Sequence, residues 1–192
     1  MDTMPSPLTD LLAADLDRGF AELVRAHGGA VYSVLLRLSG APRDVEDLTQ
    51  ETFLRAYTAL RDYVPERRRA LRPRAWLLAI GTNVWRNHVR TLTRRPAPDD
   101  GVDVQELPLT DTGPGPERLT EHAFARERLV AALAGLPEHH RVPVVLRHMG
   151  ELSYTEIAEL LGCPVGTVKA QVSRGLAALR ATPHLAEEEV IG

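Results

Sequence analysis

Between Glu66 and Arg95 nine arginines stand against one acid, Glu66. Guanidinium groups at this density point to phosphate binding: each is planar, permanently charged and matched to two phosphate oxygens at once. They fall into two sets. Arg67, Arg68, Arg69, Arg72 and Arg74 crowd the stretch from Pro65 to Arg74, which reads as a loop. Asn83, Arg86, Asn87 and Arg90 recur at helical spacing, on the side opposite Leu77, Ile80 and Val84. A second cationic segment, from Pro164 to Thr182, carries Lys169, Arg174 and Arg180 and no acid. Here Thr167, Ala170, Gln171 and Arg174 share one helical face. In a major groove, glutamine suits adenine and arginine suits guanine or a phosphate, with Lys169 and Arg180 flanking as phosphate anchors. The net charge of −3 hides this pattern, because six acids and no base lie between Pro96 and Glu117. For binding a polyanion, the distribution matters more than the sum.

The residues give no support for catalysis. Asp47 and Glu51 are spaced i, i+4, but no histidine stands at helical spacing to complete a metal site. His139 and His140 are expected to point apart on a helix. The single Cys163 excludes an internal disulfide and a cysteine-rich zinc site. No Walker loop, GxSxG or HExxH is present. The expectation is a protein that is not an enzyme and has no catalytic residue, metal or cofactor. No apolar run approaches the roughly 18 residues of a bilayer span, and Met1 to Asp10 does not read as a signal peptide. A cytoplasmic protein that does not insert into membranes is the default expectation.

The elements that must position these residues all read as helices. Phe20, Leu23, Val24 and His27, then Val31, Val34, Leu35 and Leu38, recur at helical spacing. Gly40-Ala41-Pro42 breaks that pattern. A long helix over about 44–63 follows, with Val45, Leu48, Thr52, Ala56, Leu60 and Tyr63 on one stripe, and then a helix over about 76–94. Pro96 to Glu117 holds five prolines and three glycines, the composition of an extended linker. Beyond it, Leu129, Val130, Leu133 and Leu136, and then Val142, Val145, Leu146 and Met149, resume the helical pattern. Ser153 and Glu156 have the spacing of a capping box, Gly162 suits a helix C-terminus, and Pro164 suits the first turn of the next helix. Two helices joined by so short a turn form a helix-turn-helix. Its second helix would bury Val165, Val168, Val172, Leu176 and Leu179. The expected fold is all-α: two small helical domains joined by a flexible acidic linker. The divisions are a first domain over 13–95, a linker over 96–120, a helix-turn-helix domain over 121–182 and an acidic tail over 183–192.

Three segments resemble the sigma-70 family of RNA polymerase sigma factors. Asp44 to Tyr57 is similar to the region 2 signature, and Trp76 to Asn83, followed by Arg90, Arg94 and Arg95, to its promoter-melting part. Leu136 to Arg147 and the Gly166-Thr167-Val168-Lys169 turn resemble region 4. The resemblance covers roughly residues 15 to 182, and the short, direct tether points to the extracytoplasmic-function (ECF) subgroup. It implies a sigma factor that binds core RNA polymerase and directs promoter-specific initiation. Asp47, Gln50, Glu51 and Leu54 would grip the clamp helices of the polymerase's largest subunit. Arg67, Arg68, Arg69, Arg72, Arg74, Asn83, Arg86, Asn87 and Arg90 would meet and melt the minus-10 element. Thr167, Lys169, Ala170, Gln171 and Arg174 would read the minus-35 duplex. An anti-sigma factor is an implied partner, with the two domains drawn together in the free or inhibited protein.

Two features depart from the family pattern. Lys169-Ala170-Gln171 stands where many relatives carry Ser-Arg after the basic residue, and the segment before Trp76 is rich in arginine rather than aromatics. Trp76 reads as core, while Trp85 suits core packing and base stacking equally. The acidic linker suits either a path through the polymerase interior or a solubilising tether. The rival reading is a stand-alone helix-turn-helix regulator, which would need a ligand-binding or dimerisation domain at its N-terminus.

Overall fold

The computed structural model describes residues 6–94 and 116–182, the side chains of 94 and 116–123 excepted. The expected tail over 183–192 and most of the expected linker lie outside this range. Proline and short polar side chains set the helix starts. Ser6 caps α1 (Pro7–Ala14) by accepting from the Thr9 amide, and Asp15 caps α2 (Leu16–Ser39) by accepting from Arg18. Pro42 opens α3 (Pro42–Asp62) and Pro65 opens α4 (Pro65–Arg69), where a missing N–H costs no hydrogen bond. Helix α5 (Pro73–Arg94) likewise begins at a proline. Helices α6 (Pro116–Ala134), α7 (Glu138–His148), α8 (Tyr154–Leu161) and α9 (Val165–Arg180) complete the described chain, which contains no strand. The structure is all-α, as the periodicities require.

Five of the six expected stripe residues on α3 are buried, Val45, Leu48, Thr52, Ala56 and Leu60 being at most 4% exposed, whereas Tyr63 is the C-cap residue and only half-buried. Thr52 carries a hydroxyl into this apolar seam and satisfies it by donating to the Leu48 carbonyl at 2.7 Å. Boundaries differ from the sequence reading in several places, among them α1, which packs on α2 and α4 yet lies mostly ahead of the expected domain start at residue 13. The stretch from Pro65 to Pro73 contains the short helix α4. Helix α6 starts at Pro116, inside the expected linker. Pro164 is the cap residue just before α9, with extended backbone (φ −61°, ψ 144°), rather than part of its first turn.

The two helical lobes, α1–α5 and α6–α9, pack against one another, and their buried side chains form one contiguous set from Leu12 to Leu179. Helix α2 touches both α6 and α7. Gly40 ends α2 in the left-handed conformation (φ 70°), and a Cβ there would lie 2.8 Å from the Ala134 Cβ on α6. Two constraints therefore demand glycine at one position. Arg141 on α7 donates to the Leu38 carbonyl in the last turn of α2 at 2.9 Å, and its guanidinium lies 5.5 Å from the Trp85 ring centroid. A cation at a helix C-terminus also meets the negative end of the helix dipole.

Glycines in α2 differ in what they are for. A Cβ at Gly19 would come within 2.6 Å of the Leu12 backbone, so α1 crosses α2 at a bare Cα; at Gly29 a Cβ would meet nothing within 4 Å. Gly19→Ala should lower unfolding stability by about 1–3 kcal/mol through overpacking. Gly29→Ala should raise it by up to about 1 kcal/mol through helix propensity. Thermal melts of the two variants check both signs.

Candidate nucleic-acid interface

Helix α5 presents its polar stripe as expected: Asn83, Asn87 and Arg90 are exposed and Arg86 is half-buried. Its apolar side is wider than the trio expected. Leu77, Leu78, Val84 and Trp85 are all at most 4% exposed, whereas Ile80 is only partly buried. Leu78 and Trp85 are buried because α5 is covered by the second lobe as well as the first. A Cβ on Gly150 would lie 2.9 Å from Leu78 Cδ1, and Arg141 covers the Trp85 ring. Trp85 is thus a core residue and is closed to base stacking in this conformation. Trp76 is only half-buried and packs against Tyr63 with ring centroids 6.1 Å apart.

The five arginines of the 65–74 segment do not share one environment. Arg67 lies over the Tyr63 ring, 3.8 Å from its centroid. Arg68 donates to the Leu60 carbonyl at 2.9 Å and to Leu12 at 3.4 Å, closing the C-terminus of α3 onto α1. That guanidinium serves the fold. Its place in the expected strand-binding set is the least natural of the five. Arg69 stands 3.6 Å from Asp10. Arg72 lies 3.8 Å from Glu156 and 3.6 Å from Glu159, and Arg74 donates to the Gly150 carbonyl at 2.7 Å and pairs with Glu151 at 2.9 Å. On α5, Arg86 pairs with Glu138 at 2.9 Å. Sequence reading missed these acidic partners because they lie at least 52 residues away along the chain.

The helix-turn-helix is built from α8 and α9. Ser153 and Glu156 form the expected capping box: the Glu156 amide donates to Ser153 Oγ at 3.2 Å, and the Ser153 amide donates to the carboxylate at 2.9 Å. Gly162 turns the chain in the left-handed conformation (φ 64°). Val168, Val172, Gly175 and Leu179 are the buried positions of α9, while Val165 and Leu176 are partly buried. Gly175 is needed there, since a Cβ would stand 2.6 Å from Val144 Cγ2 on α7. On the opposite face Thr167, Lys169 and Arg174 are exposed, and Ala170 and Gln171 are half-exposed. The Gln171 side-chain oxygen is buried without a hydrogen-bond partner. That amide must turn outward to meet a base edge.

On α3, Asp47 and Gln50 are exposed and Leu54 is 62% exposed, while Glu51 pairs with Arg55 at 2.6 Å. Beside them runs a shallow apolar groove between α2 and α3, lined by Val24, Gly28, Gly29, Tyr32, Thr49 and Phe53. His27 is held below the ordinary imidazole range by burial and then by Arg74, and His140 by burial, His139 and Arg174. The rings of His139 and His140 lie 4.2 Å apart, in contact rather than pointing apart as expected. Among the described residues no group of three or more metal-ligating side chains comes together, and no helix is long and apolar enough to cross a membrane.

Two cationic helical faces on an all-α chain, one of them a helix-turn-helix, define a nucleic-acid-binding protein of two lobes. The sigma-70 region 2 family model matches residues 23–95, and a sigma-70 region 4 model matches residues 126–179. The chain is 38% identical over 159 residues to the ECF RNA polymerase sigma factor SigE of Mycolicibacterium smegmatis, covering 83% of this chain and 59% of that one. It is 30% identical over 167 residues to SigW of Bacillus subtilis, covering 84% and 87%. Among solved structures, CnrH in complex with the cytosolic domain of CnrY matches with a TM-score of 0.65 at 28% identity, over 91% of this chain and 93% of that one. The chain belongs to the sigma-70 family, in its extracytoplasmic-function group.

Arg68 and Arg90 provide a test of which arginines serve the fold. Arg68→Ala removes donors from the α3 terminus and should cost about 1–3 kcal/mol of stability. Arg90→Ala, on the exposed stripe, should stay within about 0.5 kcal/mol. Urea unfolding of both variants reads the difference.

Proposed function

We infer that this chain is a sigma factor that binds core RNA polymerase and directs promoter-specific transcription initiation, working in the cytoplasm without catalytic chemistry of its own. The observation that carries the reading is the presence, on one chain, of two cationic helical faces with different surroundings. The α9 face carries exposed Thr167, Lys169 and Arg174 beside half-exposed Ala170 and Gln171, polar and cationic side chains that can meet base edges and phosphates in a duplex groove. The arginine segment 65–74 directly precedes α5 in the chain, so adjoining elements supply asparagines and guanidinium groups. That combination suits a separated strand, whose phosphates and unstacked bases it can both meet. On this reading Thr167, Lys169, Ala170, Gln171 and Arg174 meet the minus-35 duplex. Arg67, Arg69, Arg72, Arg74, Asn83, Arg86, Asn87 and Arg90 meet the minus-10 strand.

The third surface is apolar and belongs to the polymerase. Leu54, ringed by Asp47, Gln50 and Glu51, has the form of an interface anchor: one large apolar side chain inside a polar rim. The groove between α2 and α3 continues that surface. An anti-sigma factor is the second protein partner in this reading. The domain divisions proposed are a region 2 domain over 13–95 and a region 4 domain over 121–182. A stand-alone helix-turn-helix regulator would need a ligand-binding or dimerisation domain where residues 23–95 match region 2 instead.

Gln50→Ala combined with Leu54→Ala should weaken association with core polymerase by at least tenfold in a pull-down titration, with stability changed by less than about 1 kcal/mol. Unchanged core affinity would remove this face from the interface. The two DNA faces separate on templates. Arg174→Ala should impair binding to promoter duplex by about 1–3 kcal/mol, and a pre-melted bubble should not restore it. Asn83→Ala should impair open-complex formation, and the same bubble should restore it at least in part. Holoenzyme assays on both templates, at matched salt because phosphate contacts are salt-sensitive, decide the assignment. The same response of both variants to the bubble would count against it.

A further inference from the structure

Helix α4 carries Arg67, Arg68 and Arg69, yet it has no buried residue of its own. So short a helix cannot stand alone in water, where nucleation is costly and isolated helices need about 12–15 residues. Something outside must hold it. Helix α4 packs against α1, which lies ahead of the residues 23–95 that match region 2. Helix α1 has no basic residue in its own last turn, and a helix C-terminus leaves carbonyls without intrahelical partners and attracts a cation. Arg68 supplies that cation. It donates to the Leu12 carbonyl at 3.4 Å, and to the Leu60 and Arg61 carbonyls in the last turn of α3 at 2.9 and 3.5 Å. One guanidinium thus ties α4 to two helix ends. Asp10 on α1 also stands 3.6 Å from Arg69 Nε. Helix α1 is itself firmly seated. Leu12 is fully buried and Thr9 nearly so, and Gly19 admits the α1 backbone, since a Cβ there would lie 2.6 Å from Leu12 N and Cα.

We propose that α1 is a positioning element for strand recognition: it fixes α4, and with it the arginine segment that follows, in the place where an unpaired strand is met. A guanidinium on a loose segment attracts phosphate wherever it goes, and attraction of that kind carries no sequence information. Choosing among unpaired bases needs donors held to a fixed place. Without α1, the segment would keep its charge and lose its place. The role of α1 is therefore in selectivity rather than in attraction.

The proposal rests on the assignment of the 65–74 segment to the minus-10 strand, and the experiment separates the two. Neither Leu12 nor Gly19 belongs to a surface assigned to DNA or polymerase, so both can be changed. Leu12→Ala empties the α1 contact, and Gly19→Ala forces α1 off α2. Val34→Ala is the control: it opens a cavity at another buried position, about four turns further along α2 than Gly19. Hydrogen exchange on the full chain is read at Asp10 in α1, whose amide donates to the Ser6 carbonyl, and at Arg68 and Ala70, whose amides donate to the Val64 and Glu66 carbonyls. Each variant is also assembled with core polymerase. It is titrated with duplexes carrying a short bubble of random sequence, and with the bubble that wild-type holoenzyme selects from that pool. The ratio of the two affinities is the selectivity.

Both α1 variants should speed exchange in α1 and α4 together, by about tenfold or more. Selectivity should fall by about fivefold or more, while affinity for the random pool changes by less than about twofold. The control should keep the slow exchange of α4 and the selectivity of the wild type. Faster exchange in α1 with α4 unchanged overturns the brace and leaves the strand assignment intact. Faster exchange in both with selectivity unchanged overturns the assignment of the segment to the strand, and the purpose of α1 with it. A wild-type holoenzyme that selects no bubble overturns that assignment as well. An equal loss of selectivity in the control marks a general loss of packing and overturns the positioning role.

Discussion

A guanidinium group cannot discharge itself. Its pKa lies far above neutral pH, so an arginine remains a cation wherever the fold puts it, and a cluster of them is relieved by acceptors, ring faces or water. Much of the architecture here follows from that constraint. Some of the N-terminal lobe's arginines find partners at once: Arg68 takes helix-end carbonyls and Arg67 takes the face of Tyr63. Arg72, Arg74 and Arg86 find theirs only across the junction between lobes. The closed arrangement of the lobes supplies these three cations with carboxylate partners that the N-terminal lobe does not.

The ion pairs do not by themselves hold the lobes together. An exposed pair contributes at most about 1 kcal/mol, whereas burying a leucine-sized side chain contributes about 1.5–3 kcal/mol. Leu78 and Trp85 on α5 and the Gly40–Ala134 approach are therefore the stronger part of the junction. The charged pairs of Arg72, Arg74 and Arg86 lie beside that apolar contact. Arg141 joins the two kinds of interaction, lying over the Trp85 ring while donating to the Leu38 carbonyl. The junction is thus apolar at its centre and ionic at its rim, like an interface between separate proteins.

What could be read from the sequence divides along the same line. Local rules were legible: the α3 stripe, the Ser153–Glu156 box, the Gly162 turn and the open face of α9 all depend on residues a few positions apart. Contacts between lobes were not. Helical periodicity assigns α5 one buried face, so Leu78 could not be read as buried without knowing that a second lobe covers it. Trp85 was ambiguous for the same reason. The arginines were legible as cations, but the carboxylates that meet them stand beyond a linker whose length hides any register. His139 and His140 failed differently: they point apart by ideal helix geometry, yet side-chain torsions bring their rings to 4.2 Å.

The closed arrangement treats the two cationic faces unequally. Thr167, Lys169 and Arg174 on α9 remain exposed, while Arg72, Arg74 and Arg86 around α5 are occupied. On the proposed reading, a chain in this state can present α9 to a duplex, while three of the arginines proposed to meet the minus-10 strand are paired with carboxylates. Phosphate attraction carries no sequence information, so these pairs lower the charge that the α5 face offers to any nucleic acid.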